Sequence, residues 1–108
     1  MKSTVNLIDF KEIGGLVYTG RNRGEKLRVE FKLDELDAEK SQVQIQIPEN
    51  TYTISSSFFL GLFGPSVVKA GSKDAFYARY HFAAPSFLSE VMDGYVSRAL
   101  QTRNLFPS

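Results

Sequence analysis

Val43-Gln44-Ile45-Gln46-Ile47 alternates apolar and polar residues, and Ile54-Ser55-Ser56-Ser57 then leads into the apolar block Phe58-Phe59-Leu60-Gly61-Leu62-Phe63. The alternation predicts a β-strand with one buried face, which Pro48-Glu49-Asn50 ends. Small hydroxyl residues before a helical apolar run are typical N-caps, so we expect a helix to begin near Ser56. A strand that leads into a helix is the unit from which α/β domains are built.

The residues before this stretch predict a hairpin, a loop and a helix. Val5 to Phe10 and Leu16 to Thr19 are β-prone, and Gly14-Gly15 between them suits a tight turn. Two glycines and an asparagine indicate a loop from Gly20 to Gly24. The segment Glu25 to Glu39 fits both strand alternation and helical i, i+4 spacing, so its period leaves both open. Its length and the composition of its second half favour a helix.

The residues after the apolar block predict a broken helix, a strand and a long helix. Pro65 has no backbone N–H, so the first helix should kink or restart there, and then end at Gly71. Alternation from Phe76 to Phe82 indicates a strand. A helix should open near Pro85 or Ser86, and the tail Asn104 to Ser108 should fray. The apolar stripe of that last helix is Leu88, Val91, Met92, Tyr95, Val96, Ala99 and Leu100.

The predicted order of elements is β-β-α-β-α-β-α within a single domain, residues 1–108. Strands that alternate with helices imply parallel neighbours in a sheet. We therefore expect an α/β fold with a mixed sheet of about four strands and three helices packed mainly on one face.

Composition limits the classes of function. The chain has 108 residues, of which 43% are hydrophobic and 23% charged, as is typical of a globular domain. A net charge of +1 gives no general attraction to nucleic acid or anionic membranes. Cysteine is absent, and no apolar stretch approaches the roughly 20 residues of a membrane span. Since the start, Met1 to Asn6, also lacks an apolar signal core, we expect a cytoplasmic protein.

Few residues suit catalysis or metal binding. His81 is the only histidine, and it falls in the middle of a predicted strand without the partners of a catalytic triad. One histidine and no cysteine leave no usual metal-ligand set. The acidic segment Asp34 to Glu39, which includes Asp37, indicates a solvated face rather than an acid–base pair. We therefore expect a non-catalytic protein with no metal or cofactor.

A basic segment suggests an anion site. Arg21 and Arg23, in the predicted glycine loop, could cradle a phosphate at a helix start. Lys26 and Arg28 would add positive charge. The Gly-Lys-Ser/Thr ending of a P-loop is absent, so a turn with solvated arginines is the alternative. A nucleic-acid surface would use the same cluster with Tyr18 for stacking, but the acidic segment that follows weakens its field.

The three serines have two interpretations. In the first, Ser55 or Ser56 caps the helix by accepting a hydrogen bond in its first turn, worth about 1 kcal/mol. In the second, a serine there is a phosphorylation switch, because a phosphate adds about −1.5 to −2 charges and would reshape a docking surface. The apolar block beyond is either buried, at least at Phe59 and Phe63, or engaged by a partner.

These residues resemble a known family. The strand Val43 to Ile47 and the run Ile54-Ser55-Ser56-Ser57-Phe58-Phe59-Leu60-Gly61-Leu62-Phe63-Gly64 are similar to the STAS domain of sulphate transporters and anti-sigma-factor antagonists. The chain more closely resembles the prokaryotic STAS-like family of unknown function, where an arginine-containing loop and helix, as in Gly20 to Leu36, precede the strand. The resemblance covers about residues 14–100 and implies a helix over Glu25 to Leu36.

The antagonist motif Asp-Ser-Ser-Gly implies a place for each residue of the serine run. By position, Ser55 stands at the aspartate and Ser56 at the first serine. Ser57 stands at the serine that an anti-sigma-type kinase phosphorylates, and Phe58 stands at the glycine. Because Ser55 and Phe58 depart from the motif, the resemblance implies a docking surface more directly than a phosphorylated serine.

The sequence thus predicts a regulatory STAS-like domain that docks a partner protein, and the resemblance implies an ATPase or kinase of the anti-sigma type. The alternative is a module that binds a nucleotide or another small anionic ligand at the same helix N-terminus. Nucleic acid and membranes are not expected partners. The candidate contacts are Ser55, Ser56, Ser57, Phe58, Arg21 and Arg23.

Overall fold

The computed structural model describes residues 5–105 and has an α/β fold. Most of the tail for which we predict fraying lies outside this range. The five strands and six helices of the described residues are β1 (Val5–Asp9), α1 (Phe10–Ile13), β2 (Val17–Tyr18), α2 (Arg21–Glu30), α3 (Leu33–Glu39), β3 (Gln42–Gln46), β4 (Thr53–Ile54), α4 (Ser56–Ala70), α5 (Lys73–Arg79), β5 (Tyr80–Ala83) and α6 (Ser86–Leu105).

The strands form two parallel sheets, so the predicted single mixed sheet of about four strands is wrong, and the described residues contain six helices where three are predicted. One sheet has the order β1-β3-β5, and the other pairs β2 with β4. The predicted hairpin between the first two strands is therefore wrong. The short helix α1 intervenes, because the carboxylate of Asp9 caps it by accepting from the N–H of Lys11 at 3.0 Å. The chain then turns through Gly14 and Gly15, both at positive φ.

The predicted alternation of the central strand is confirmed. Val43 and Ile45 of β3 are fully buried, whereas Gln44 and Gln46 are at least partly exposed. In the neighbouring strand, Tyr80 is buried and His81 is exposed. The three-stranded sheet thus has one face in the core and one face towards solvent, which is mainly polar but also exposes Leu7.

The helix favoured over residues 25–39 is confirmed, but it is broken into α2 and α3. Lys32, between them, adopts a left-handed conformation with φ of 58°. The predicted loop from Gly20 to Gly24 is wrong, because α2 begins at Arg21 and only Gly20 remains outside it.

The helix predicted to start near Ser56 is confirmed, and it continues through Pro65 to Ala70. A proline removes one hydrogen bond from a helix, here the one that would reach the carbonyl of Gly61. The neighbouring carbonyl, of Leu62, accepts from Nη1 of Arg28 at 2.9 Å, so a side chain of α2 supports this turn. The helix ends at Gly71, which adopts the left-handed conformation as expected.

The strand predicted from Phe76 to Phe82 is half wrong, because α5 occupies residues 73–79 and β5 begins only at Tyr80. Ser72 caps α5 by accepting from the N–H of Ala75 at 3.1 Å. Phe76 and Tyr80 lie four residues apart, and their rings stack with centroids 4.8 Å apart. Residues four apart lie on one face of a helix and also on one side of a strand, so this aromatic spacing does not distinguish the two.

The helix α4 lies between α2 and α6 and is the centre of the core. Phe59 and Phe63 are each 1% exposed, which confirms their predicted burial. The last helix, α6, also agrees with the prediction, and the buried part of its stripe is Leu88, Met92, Val96 and Ala99. Most side chains of the apolar block are therefore buried against other parts of the same chain.

Candidate functional site

The serine junction, Ser55 to Ser57, joins β4 to α4, and Ser55 holds it in place. The N–H of Ser55 donates to the carbonyl of Tyr18 at 2.9 Å and so continues the pairing of β2 with β4. Its Oγ accepts from the N–H of Phe58 at 3.1 Å. Ser55 is thus the N-cap of α4, in agreement with the capping interpretation, and its hydroxyl is engaged in the fold.

Ser56 and Ser57 occupy the first two positions of α4. Ser56 is half-buried and Ser57 is exposed. The hydroxyl of Ser57 makes no hydrogen bond to any residue from 6 to 101, the range over which side chains are described. The N–H groups of both residues precede the first intrahelical bonds, so neither has an acceptor within α4. Ser57 therefore presents a free hydroxyl at the positive end of the helix dipole.

Phe58 lies in the core beneath the junction. It is 0% exposed, and its ring centroid lies 5.5 Å from that of Tyr18 and 6.2 Å from that of Phe10. The hydroxyl of Tyr18 donates to the carbonyls of Phe10 and Gly15. Burial raises the pKa of Tyr18, and the charge of Arg23 partly offsets this effect. Because both rings are buried, Phe58 supports the junction from below and Tyr18 is not placed to stack on a base.

The structure separates the two candidate arginines. The guanidinium of Arg23 lies 5.2 Å from the ring centroid of Tyr18 and 5.8 Å from that of Phe58. Its Nη1 also donates to the carbonyl of Val17 at 3.4 Å, so Arg23 is held beside the serine junction. Arg21 is exposed and lies at the crossing of α2 and α4.

Exposed apolar side chains adjoin the serine junction. Leu16 is 50% exposed, Val17 46% and Tyr52 74%. The N–H of Tyr52 donates to the carbonyl of Leu16 at 2.8 Å, so these residues lie together where β2 meets β4. We name this group of three the β2–β4 patch. Only the two residues of β4 separate Tyr52 from Ser55.

Two glycines let α2 cross α4 at close range. A Cβ placed on Gly61 would lie 2.5 Å from the carbonyl oxygen of Arg21, and one on Gly24 would clash with the carbonyl oxygen of Phe58. Gly61 therefore permits backbone-to-backbone contact between the two helices. The crossing fixes the start of α2, and with it Arg21 and Arg23, against the first turns of α4.

A buried polar cluster lies deeper along α4, and the sequence did not reveal it. Asp37 is only 4% exposed. Its carboxylate accepts hydrogen bonds from Ser66 Oγ at 2.6 Å, Tyr80 Oη at 2.6 Å, Arg28 Nη2 at 3.1 Å and Arg79 Nη2 at 3.1 Å. The cluster joins α2, α3, α4, α5 and β5, and each of these donors is directed at one carboxylate.

The predictions for two members of this cluster are wrong. Asp37 was expected on a solvated face, and Arg28 was expected to add charge to an anion-binding loop. Asp37 instead lies one turn after the buried Leu33, on the core side of α3, where the helical spacing could have placed it. Arg28 points into the same site and also binds the exposed Asp34 at 2.7 Å.

The electrostatics of the cluster favour a charged Asp37. Burial alone would raise the pKa of Asp37, but the hydrogen bonds from Ser66, Tyr80, Arg28 and Arg79 together hold it below its ordinary value. Burial, together with the hydrogen bond to Asp37, raises the pKa of Tyr80 to about 12. With its polar groups paired to one another, the cluster ties elements together and offers no free reactive group.

A cleft of about 410 Å³ between β5 and α6 contains a second polar group. Asp93 accepts from Lys73 Nζ and from the hydroxyl of Tyr77, each at 2.7 Å. The bond from Lys73, with that from Tyr77, lowers the pKa of Asp93, while burial and Asp93 raise the pKa of Tyr77. His81 lines the same cleft, with Nε2 2.6 Å from Oε1 of Gln42.

Between residues 5 and 105, no group of three or more His, Cys, Asp or Glu side chains is arranged to hold a metal ion. Over the same range, no helix has the length and apolar character needed to cross a membrane. No protein-family model matches the chain, and neither a curated protein nor a solved structure shows significant similarity to it.

Proposed function

We propose that this protein is a cytoplasmic, non-catalytic, STAS-like regulatory domain that docks a partner protein at the serine junction. The partner expected from the family resemblance is an ATPase or kinase of the anti-sigma type, and Ser57 is the residue that phosphorylation would act on. The observation that carries the proposal is the exposed, unbonded hydroxyl of Ser57 on the first turn of α4.

The surroundings of Ser57 support a protein partner. The β2–β4 patch exposes three large apolar side chains beside the junction, and apolar area next to a polar rim is typical of protein interfaces. Arg23 is held at the same place by two aromatic rings, and arginine is enriched at interfaces. Phe58 supports this surface from within and does not itself contact a partner in the proposed arrangement.

The phosphoswitch has a physical basis at this position. A phosphate on Ser57 would lie at the positive end of α4, where negative charge stabilises a helix by about 0.3–1 kcal/mol. The same charge would oppose burial of the apolar patch against a partner. Phosphorylation would therefore spare the fold and weaken the complex.

A second function, binding of a nucleotide or another small anion, is favoured by one observation. The N–H groups of Ser56 and Ser57 have no acceptor within α4, and the cation of Arg23 lies beside them. Such a ligand would raise the melting temperature as its concentration exceeds its Kd.

The test compares wild type and Ser57→Asp as baits for partner capture, with quantitative mass spectrometry. We expect Ser57→Asp to reduce the captured partner about tenfold, because burying an added charge in an interface costs on the order of 1–3 kcal/mol. The melting temperature should stay the same or rise slightly. A matched control is Ser86→Asp, which places the same charge on an exposed serine in the first turn of α6.

Three outcomes would count against docking at the junction. Equal capture by wild type and Ser57→Asp would remove Ser57 from the interface. Equal loss in Ser86→Asp would show a general effect of charge. Millimolar nucleotide could instead raise the melting temperature of the wild type, and raise that of Ser57→Asp by less. This result would favour the ligand-binding alternative.

A further inference from the structure

An open groove of about 530 Å³ runs along α4 from Leu60 to Lys69, between α2 and α6. We name it the α4 groove. Its floor is apolar and low at Gly64, which has no side chain, whereas the backbone of α2 covers Gly61 at the crossing. Pro65 is exposed and Val68 is 38% exposed, so apolar area on this side of α4 is uncovered. This area lies outside the buried part of the apolar block.

Free charges border the α4 groove. Arg21 at one end and Lys69 at the other are exposed, and neither side chain has a hydrogen bond or ion pair with the residues whose side chains the structure describes, 6–101. Arg28 also reaches the groove, but Asp34 and Asp37 neutralise it. Glu25 is the one acidic residue that lines the groove among the described residues. The ends of the groove are therefore positive, with a single negative charge between them.

The backbone of the groove limits what can bind there. Its walls are helices, whose N–H and C=O groups are largely used within each helix, and it offers no open strand edge. An extended peptide could therefore not add a strand here. A segment that lies on this apolar floor must satisfy its own backbone hydrogen bonds, and a helix does so.

The two free cations set the spacing of complementary charges. The carbonyl oxygen of Arg21 faces Gly61, and Lys69 follows Gly61 by eight residues, which is about 12 Å along a helix. Two acidic side chains separated by about two turns on a docked helix would span the same distance. Between them, apolar side chains at i, i+3, i+4 and i+7 would face the floor of the groove.

We propose that the α4 groove binds an amphipathic helix of the partner protein, with acidic residues about two turns apart opposite Arg21 and Lys69. This inference rests on the proposed function, since it names the segment of the partner that extends the contact from the serine junction along α4. The exposed apolar floor suits the apolar face of such a helix, and the positive ends suit its acidic residues. The helical walls of the groove favour a helix over an extended strand.

The test uses a synthetic helical peptide of about 15 residues, the length at which an isolated helix begins to be stable. Leucine occupies its apolar stripe and glutamate flanks that stripe, and a matched peptide carries lysine at every glutamate position. Each is titrated into isotope-labelled full-length protein and followed by the amide chemical shifts. We expect the glutamate peptide to shift Gly64, Val68 and Lys69 saturably, and the lysine peptide to bind about fivefold more weakly or worse.

Two variants make the result specific. Arg21→Glu combined with Lys69→Glu should reverse the order of the two peptides, because it reverses both ends of the groove. Glu25→Gln should strengthen binding of the glutamate peptide about twofold, because it removes the one opposing charge. All three positions are exposed, so the dispersion of the amide spectrum should be unchanged and serves as the folding control.

The outcomes separate this inference from the proposed function. No saturable shift at millimolar peptide, shifts centred elsewhere, or equal binding of the two peptides would overturn the groove assignment. Laurate could also displace the glutamate peptide and bind as tightly as the peptide does or more tightly. That result would assign the groove to a small anionic amphiphile and would overturn the proposal of a docked helix. If the groove assignment fails while Ser57→Asp still reduces partner capture about tenfold, the proposed function stands without it.

Discussion

Two serines of α4, Ser57 and Ser66, have opposite environments. Ser57 is exposed, and its hydroxyl has no partner among residues 6–101. Ser66 is 1% exposed, and its hydroxyl takes part in hydrogen bonds with Arg28, Asp37 and Tyr80. The two residues are nine positions apart on one helix, Ser57 in its first turn and Ser66 in its interior, where other elements pack around it.

The difference shows where this molecule carries its stability and where it remains available for recognition. A buried polar group that loses its partner costs about 1–3 kcal/mol, and more when it is charged. A hydroxyl that is already in water loses almost nothing when it is changed. The Asp37 cluster should therefore be intolerant of substitution, and the serine junction should tolerate it except where Ser55 caps the helix.

The strongest test of this contrast is Asp37→Asn. It preserves the shape of the side chain but removes the charge that Arg28 and Arg79 face, so we expect a loss of about 3–5 kcal/mol in the free energy of unfolding, measured in urea. Asp34→Asn is the matched control, because Asp34 also binds Arg28 but its side chain is 83% exposed. It should cost about 1 kcal/mol or less. Equal losses in the two variants would contradict the contrast.

Wild type and Asp37→Asn should also differ in how their stability depends on pH. The folded state lowers the pKa of Asp37, so its ionised form contributes stability above the ordinary aspartate pKa, near 4. That contribution is lost as pH falls through the lowered pKa, because the folded state must then bind a proton it disfavours. Asp37→Asn should lack this part of the acid-induced destabilisation. Parallel losses of melting temperature in wild type and variant below about pH 4 would argue against it.

The serine junction could be predicted from the sequence because its signals are local. A hydroxyl residue before an apolar run specifies a cap whatever lies elsewhere in the fold, and Ser55 does cap α4. The alternation of β3 and the stripe of α6 are local in the same sense. These elements agree with prediction.

The Asp37 cluster and the pairing of the strands could not be predicted in the same way. Asp37 binds Ser66, which is 29 positions away, and Tyr80, which is 43 positions away. The sequence around Asp37 shows only a run of acidic residues, which is typical of a solvated face. The partner of β2 is β4, which lies far beyond the turn that suggested a hairpin. The helix α5 was missed because i, i+4 aromatic spacing also fits a strand. Long-range partners, not local propensity, decided the first two of these cases.

A smaller effect should follow a change at the helix crossing, which lies between the two serines. Gly61→Ala would place a Cβ 2.5 Å from the carbonyl oxygen of Arg21, and a backbone atom there must move. We expect a loss of about 1–3 kcal/mol in thermal or urea unfolding. Gly94→Ala is the control, because nothing lies within 4 Å of its Cβ position. Alanine there should stabilise α6 by about 0.5–1 kcal/mol. A neutral Gly61→Ala would mean that α2 can shift freely on α4.

The smallest effect should come from the serine junction itself. Ser55→Ala removes the oxygen that accepts from the N–H of Phe58, and we expect a loss of about 1 kcal/mol in urea unfolding. Ser57→Ala should change stability by less than about 0.5 kcal/mol, because the hydroxyl it removes is exposed. A loss in Ser57→Ala as large as that in Ser55→Ala would show that Ser57 is also structural. In that case the contrast with Ser66 would disappear, and phosphorylation of Ser57 would act on the fold as well as on the partner.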